Sequence, residues 1–424
     1  MKKSFYLNSE IVVIGLGYVG LPLAVKLSSS FKVIGYDKLV NRIKDLKQGK
    51  DLTNEVKAQK LNNNINLTFT NNKKDILRKN IYIVTVPTPV KQNNKPDLSF
   101  LRQASRLVGE SMNKFGIVIF ESTVYPGVTE KICGAIIEKV SGFKLNKSFF
   151  LGYSPERINP GDKKHTIEKI VKVVSGSNEE VTKIIGNIYE SIISKGVHYS
   201  KNIKTAEMAK AIENAQRDIN IAFINEVAMI CKKLDISVYD VLEAAKTKWN
   251  FLPFQPGLVG GHCIGVDPYY LAHVAKTLDY DAKLILSGRL INDEMTNAIY
   301  QIIKKDISSE DRILQIGVTF KENVPDIRNS KSAELANLFI SSGHNIDIYD
   351  PIAKKQEVKD IYGLDLAIPS GYYDYVLLAV AHDSLVIDFN EKISKFLKNN
   401  SVIFDIKGAL KNMSFKKKVI YKTL

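Results

Sequence analysis

Along the chain, short apolar runs alternate with longer stretches whose apolar residues fall at helical spacing. Residues 10–14 read as a buried strand, and Gly15-Leu16-Gly17-Tyr18-Val19-Gly20 follows it directly, opening an apolar helix to about residue 28. A second strand over 32–36 ends at Asp37. Further strands are predicted at 81–86, 116–121 and 149–152. Each runs into a loop of a distinct kind: Pro87-Thr88-Pro89, then Ser122-Thr123 with Pro126, then Tyr153-Ser154-Pro155-Glu156-Arg157. Long helices are expected over 204–234 and 279–305. A second alternating series follows, with a strand at 312–318, a helix at 332–342, a strand at 345–349 ending on Asp350-Pro351, and strands at 375–380 and 402–404.

Two such series predict an α/β protein: two doubly wound Rossmann-like domains joined by a long central helix and a helical domain, divided as 1–203, 204–308 and 309–424. The first series carries the dinucleotide fingerprint in its required setting. Gly15 serves the tight turn, Gly17 the close approach of backbone to pyrophosphate, and Gly20 the packing of helix on strand. The helix N-terminus favours an anion. Asp37, closing the second strand, suits ribose hydroxyls and repels a 2′-phosphate, which points to NAD rather than NADP. The second series lacks these glycines and offers Lys321 and Arg328 instead, for a different phosphate-bearing ligand.

In the 204–234 helix, Ile212, Ala215, Ile219 and Ala222 recur at spacings of three and four and predict one core-facing stripe. Lys210, Asn214 and Arg217 are expected together on the opposite face. Such a trio is ordinarily wet surface and becomes a site where a reactive loop packs over it. The candidate loop is 256–270, PGLVGGHCIGVDPYY, with Cys263 among Gly260, Gly261 and Gly265 and Asp267 four residues on. Residues without a Cβ leave room for a ligand, so Cys263 reads either as a nucleophile or as a small buried hydrophobe in a turn. A neighbouring lysine would favour the thiolate, and lysine with a carboxamide can hold an oxyanion. Glu156 reads either as a general base or as a solvated loop carboxylate, and Ser122 and Thr123 either as ligand contacts or as helix caps.

At 424 residues the chain exceeds one ordinary core, and 45% hydrophobic with 25% charged residues excludes a disordered protein. Cys133, Cys231 and Cys263 stand in no zinc spacing, so free thiols in a reducing compartment and no metal are expected. The apolar run 11–25 is shorter than the roughly 20 residues of a membrane span and is broken by glycines and Pro22, so no membrane partner and a cytoplasmic location follow. The net charge of +15 is spread along the chain, with one short run at Lys416-Lys417-Lys418 and no aromatic-interleaved basic motif. This disfavours nucleic acid and suits an anionic small molecule.

The segments GLGYVG, VTVPTP, ESTVYPG, SPERINPG, EMAKAIENAQRDIN, GLVGGHCIGVDPYY, FKENVPDIRNS and DIKG stand in one order over nearly the whole chain. In this the sequence resembles the UDP-sugar 6-dehydrogenases, which oxidise the C6 alcohol of a nucleotide sugar to a carboxylate with two NAD. The GGHCIGVDPYY form and Arg217 resemble the branch acting on UDP-N-acetylhexosamines, gluco or galacto, rather than on UDP-glucose. The resemblance implies Cys263 as nucleophile, Lys210 and Asn214 as oxyanion holders, Asp267 placing water or taking a proton, and Thr123 and Glu156 handling water. It implies cofactor contacts from Gly15, Gly17, Tyr18, Val19, Gly20, Asp37, Arg42, Pro87, Thr88 and Thr123. Substrate contacts are implied for Glu156, Arg157, Lys210, Asn214, Arg217, Phe251, Phe254, Gly257, Gly260, Lys321 and Arg328, while Lys407 stands where some relatives have arginine. A homodimer and a place in surface-polysaccharide synthesis are further implied. The alternatives are a UDP-glucose or UDP-N-acetylmannosamine 6-dehydrogenase, a two-electron hydroxyacid-type dehydrogenase, and an NAD-binding redox sensor without turnover. The two-electron type leaves Cys263 and the second α/β series without a role.

Overall fold

The computed structural model describes residues 6, 8–91, 93–157, 166–261 and 264–424. The chain packs as two compact units, Met1–Glu213 with Tyr269–Tyr280, and Asn214–Pro268 with Asp281–Leu424.

The first unit is built on a sheet of β1 (Ile11–Ile14), β2 (Val33–Tyr36), β3 (Leu67–Thr70), β4 (Ile81–Val84), β5 (Gly116–Phe120), β6 (Phe149–Tyr153), β7 (Lys172–Gly176) and β8 (Val197–Tyr199). Its order is β3-β2-β1-β4-β5-β6-β7-β8. Strands β1 to β6 are parallel, and β7 runs antiparallel to β6. Central strands of a parallel sheet are buried on both faces, which is why β1 and β4 are apolar without alternation. Ile11, Val13 and Ile83 pack with Leu23 and Leu27 of the Gly20–Leu27 helix in one core. The order reverses between β1 and β4, so their carboxyl-end loops diverge and open a crevice there. Strands β3, β7 and β8 were not legible as apolar runs, because LTFT, KVVSG and VHY mix polar residues into edge or near-edge positions.

The second unit holds β9 (Arg312–Ile316), β10 (Asn345–Tyr349), β11 (Tyr373–Leu378), β12 (Leu397–Asp405) and β13 (Ile420–Thr423), all parallel, in the order β10-β9-β11-β12-β13. Ile313, Leu377 and Phe404 of this sheet pack with Met295, Ile299 and Ile303 of the Lys283–Ile303 helix. The helix expected over 279–305 therefore starts later, and a separate helix, Asp267–Lys276, precedes it. Asp267 and Pro268 form a helix start that the glycine-rich loop before them disguised, and Asp279, at φ 55°, breaks the two helices apart.

The two sheets share one turn. In the first, Gly15 (φ 94°) donates its N–H to Tyr36 O at 2.8 Å, and Leu16 N–H donates to Asp37 Oδ2 at 2.9 Å. In the second, Gly317 (φ 93°) donates to Tyr349 O at 2.8 Å, and Val318 N–H donates to Asp350 Oδ2 at 2.8 Å. The second turn carries no further glycine, and buried His382 lies against Asp350, with Nε2 3.2 Å from Oδ2.

The long helix spans Ile203–Lys233, and its faces correct the expected pattern. Lys210 and Asn214 are buried together with Ala206, Glu207, Ala211, Ala215 and Asp218, whereas Ile212 is 49% exposed and Arg217 is exposed. Small alanines allow close approach on this face, and Glu207, Asn214 and Asp218 are admitted there because neighbours satisfy them. Hydrophobic periodicity registers neither effect.

Candidate active site

At the β1–β4 crevice the glycines meet specific needs. A Cβ on Gly20 would lie 1.8 Å from Gly15 O and 2.4 Å from Thr85 Oγ1, a clash with backbone that no rotamer relieves. A Cβ on Gly17 would meet no heavy atom within 4 Å, so its backbone is open to a ligand just ahead of the Gly20–Leu27 helix N-terminus. Tyr18 and Val19 are half-buried in the same turn. Asp37 accepts from Leu16 N–H and, at 3.0 Å, from Leu39 N–H, which fixes its carboxylate at the rim of a cavity of about 500 Å³. Gly15, Leu39, Val86, Pro87, Phe100 and Leu107 line that cavity. Lys38, Lys73, Arg106 and Glu110 also line it, and largely apolar walls with the Asp37 carboxylate at the rim, beside open backbone at a helix start, fit an adenosine diphosphate moiety and so NAD.

Arg42 braces this turn. Its Nε donates to Leu16 O at 2.9 Å and its Nη2 pairs with Asp51 Oδ1 at 2.9 Å. Burial works against the Asp51 carboxylate, yet hydrogen bonds from Thr53 and Val56 and the Arg42 charge hold it below the usual carboxylate range. The Pro87-Thr88-Pro89 loop is fixed by Tyr270, whose hydroxyl donates to Thr88 O at 3.0 Å and Pro89 O at 3.3 Å.

Thr123 is half-buried just past β5, beside Ser122, whose hydroxyl donates to Val86 O at 2.6 Å. Glu156 is buried, not solvated. It accepts from Arg157 N–H at 2.6 Å and pairs with Lys172 Nζ at 2.9 Å. Lys172 also pairs with Glu121 at 2.9 Å, and Tyr189 donates its hydroxyl to Glu121. Burial pushes Glu121 up to about 7 against the pull of Lys172. The Arg157 guanidinium pairs with Glu213 at 2.8 Å.

On the long helix, Lys210 is 8% exposed and makes no hydrogen bond or ion pair with a described residue. Asn214, one turn on, donates from Nδ2 to Asp267 Oδ2 at 2.5 Å. The loop leading to the cysteine is clamped within the second unit. Asn225 grips Gly257 from both sides, accepting its N–H at 2.8 Å and donating to its carbonyl at 3.0 Å. Asn225 also donates to Asn292, which in turn donates to Asp218. Burial pushes Asp218 up to about 6, opposed by the Arg289 charge 2.5 Å away. A Cβ on Gly260 would lie 2.4 Å from Asn329 O, and Gly261 (φ 85°) sits against the Phe320 ring. Phe251 and Phe254 are half-buried, Arg328 is held by Asp326 at 2.5 Å, and Lys407 by Glu322 at 2.5 Å. Cys263 itself lies outside the described residues, as do residues 158–161 of SPERINPG.

Lys172, Glu121, Tyr189, Asn225 and Asn292 escaped the sequence. One signal was available: a lysine opening the apolar run KVVSG must find a carboxylate if that run is a buried strand. Glu207 was missed too. It accepts from Gly127 N–H at 2.5 Å and Thr129 N–H at 2.9 Å, and burial pushes it up to about 7. Among the described residues no helix is long and apolar enough to cross a membrane, and no cluster of His, Cys, Asp and Glu could hold a metal.

Three domain models of one family match in order: the UDP-glucose/GDP-mannose dehydrogenase NAD binding domain over 9–193, the central domain over 204–294, and the UDP binding domain over 314–412. Protein CapL of Staphylococcus aureus is 47% identical over 412 residues, covering 95% of this chain and 97% of that one. The UDP-N-acetyl-D-glucosamine 6-dehydrogenase of Pseudomonas aeruginosa is 46% identical over 409 residues, with coverage of 95% and 97%. Among solved structures, the UDP-D-ManNAc dehydrogenase of Pyrococcus horikoshii superposes with a TM-score of 0.84 at 30% identity, covering 97% of this chain and 99% of the other. Two doubly wound sheets, a dinucleotide turn and matches along nearly the whole length agree: the chain belongs to the UDP-glucose/GDP-mannose dehydrogenase family, with its NAD-binding domain at the amino end.

Proposed function

We propose that the protein oxidises the C6 alcohol of a UDP-N-acetylhexosamine, gluco or galacto, to the uronic acid with two NAD. Segments 1–203, 204–308 and 309–424 would serve as cofactor, catalytic and UDP-sugar modules. The observation that carries this reading is Lys210, a largely buried lysine without a described partner, one turn from an amide engaged by the aspartate of the cysteine loop. Such a pair supports the reading of Lys210 and Asn214 as oxyanion holders. The name of the relative at 46% identity favours N-acetylglucosamine over N-acetylmannosamine, which belongs to the relative at 30%.

NAD, held by the Gly15–Gly20 turn and Asp37 with Tyr18, Val19, Pro87, Thr88 and Thr123 nearby, supplies the hydride acceptor for both oxidations. Cys263 adds to the C6 aldehyde, so that no free aldehyde leaves, and the second oxidation gives a thioester. Lys210 and Asn214 hold the oxygen that turns anionic, Asp267 orients the Asn214 amide, and Glu156 with Thr123 directs water onto the thioester. Arg157, Arg217, Phe251, Phe254, Gly257, Gly260, Lys321 and Arg328 are the proposed sugar-nucleotide contacts. A two-electron dehydrogenase would need neither the thiol nor the UDP-binding module.

The protein is further read as a cytoplasmic homodimer feeding surface-polysaccharide synthesis. The apolar Phe223 and Ile230 on the long helix and Leu234 just past its end stand exposed and suit a second copy, and the buried free thiols of Cys133 and Cys231 suit a reducing compartment. A panel of UDP-sugars assayed for NADH tests the activity. Two NADH per uronate from UDP-N-acetylglucosamine or its galacto epimer supports it, and one NADH per turnover, or none with any UDP-sugar, refutes it.

A further inference from the structure

The segment that carries Phe251, Phe254 and Gly257 forms neither helix nor strand, so other parts of the second unit must hold it. Phe251, Phe254 and Leu258 pack against a core that includes Ile224, Ala228, Met295 and Ile299. Apolar contacts are non-directional: they fix where the segment lies but not which way its peptide groups face. That second task falls to one side chain. Asn225, fully buried on the long helix, accepts the Gly257 N–H on Oδ1 at 2.8 Å and donates from Nδ2 to the Gly257 carbonyl at 3.0 Å. Both polar groups of one residue are held by one amide, much as a neighbouring strand would hold them. The φ of 151° at Gly257 is a value that residues with a Cβ rarely adopt.

An amide side chain can face either way, and a chain of buried bonds decides which way this one faces. A backbone carbonyl only accepts, so Asn292 turns its amide nitrogen to Asp218 O at 2.9 Å, and also to Asp218 Oδ1 at 2.8 Å. The Asn292 oxygen is thereby left facing Asn225, whose nitrogen donates to it at 2.9 Å. Only in this sense can Asn225 offer its oxygen to the Gly257 N–H and its second amide hydrogen to the Gly257 carbonyl.

We propose that Asn225 is a positioning residue for the sugar nucleotide: it presets the backbone around Gly257 in the orientation that binds, and Asn292 fixes the sense of its amide. This rests on the sugar-nucleotide contacts given above to Phe254, Gly257 and Gly260. Asn225 uses its amide hydrogens and oxygen within the protein, so it acts through Gly257 and not on the substrate. Without it, binding must first order the segment, and affinity falls.

The test uses the full-length protein with whichever of UDP-N-acetylglucosamine and its galacto epimer the unmodified protein oxidises. It reads KM and kcat for the sugar nucleotide, its Kd by calorimetry, NAD affinity and Tm. In Asn225→Ala, Kd and KM for the sugar nucleotide should rise about tenfold, with a far smaller change in kcat. NAD affinity should hold, because the dinucleotide turn belongs to the other unit. Asn292→Ala leaves both bonds to Gly257 possible but frees the amide to turn over, so the rise should be smaller, about threefold. Because Asn292 acts through Asn225, the double variant should bind no more weakly than Asn225→Ala. A merely structural pair would lower Tm and the fraction of active protein, leaving KM and Kd in place. If Asn225→Ala fails to fold, Asn292→Ala decides, and an unmoved Kd there overturns the proposal. Unchanged Kd and KM in folded Asn225→Ala, or single effects that multiply in the double variant, overturn the role of Asn225 while the unmodified protein stays active. No turnover of any UDP-sugar by the unmodified protein overturns the function proposed above, and this inference with it.

Discussion

Lys210→Met separates a residue built for stability from one built for catalysis. Lys210 is 8% exposed as a residue and has no described partner. A lysine held in a largely buried position gives up hydration of its charge, and no described ion pair offsets that here. Methionine has nearly the same length and no charge, so the substitution should leave Tm unchanged or raise it. Turnover should respond in the opposite sense. If the ammonium awaits the oxygen that becomes anionic at each covalent step, its loss removes one preorganised donor, about 10²–10³ in kcat or roughly 3–4 kcal/mol of transition-state stabilisation. The Michaelis constant for the sugar nucleotide should change little, because the ground-state alcohol carries no such charge. Steady-state NADH release with a parallel thermal melt reads both quantities. A kcat within about threefold of wild type, or a loss of turnover matched by a fall in Tm, refutes the assignment.

Cys263→Ser should abolish uronate formation while NAD binding, measured by fluorescence quenching, survives, and full product at the wild-type rate would sink the covalent route. Asp37→Ala removes the rim carboxylate and its bonds to Leu16 and Leu39, so the preference for NAD over NADP should narrow by about tenfold, and equal use of both by the unmodified protein would contradict the placement. Glu207 has a folded-state value of about 7 against an ordinary 4.5, so the stability it contributes is complete below about 4.5 and is lost as pH rises through 7. That amounts to about 3 kcal/mol. Melts should therefore fall in Tm from pH 5 to pH 8, and Glu207→Gln should flatten part of that slope; an identical slope would remove Glu207 as its source.

What the sequence determined by itself was what depends on a residue and its chain neighbours. The dinucleotide turn was readable because a positive φ at Gly15 and backbone contact at Gly20 each demand glycine whatever the rest of the chain does. The doubly wound sheets were readable because strands buried on both faces are apolar throughout. Ordered motifs then carried the family. Which face of the long helix is buried belonged to tertiary structure, since the stripe Ile212, Ala215, Ile219, Ala222 and the trio Lys210, Asn214, Arg217 carry no information about which neighbours arrive. The Asn225 grip on Gly257 spans 32 residues, and the Lys172 cluster gathers side chains from one strand, two loops and a helix. Such pairings cost chain entropy that only the assembled core repays, so they leave no periodic trace in the sequence. The antiparallel turn of β7 is the clearest case: reversing one strand moves Lys172 from one edge of the sheet to the other without changing a residue.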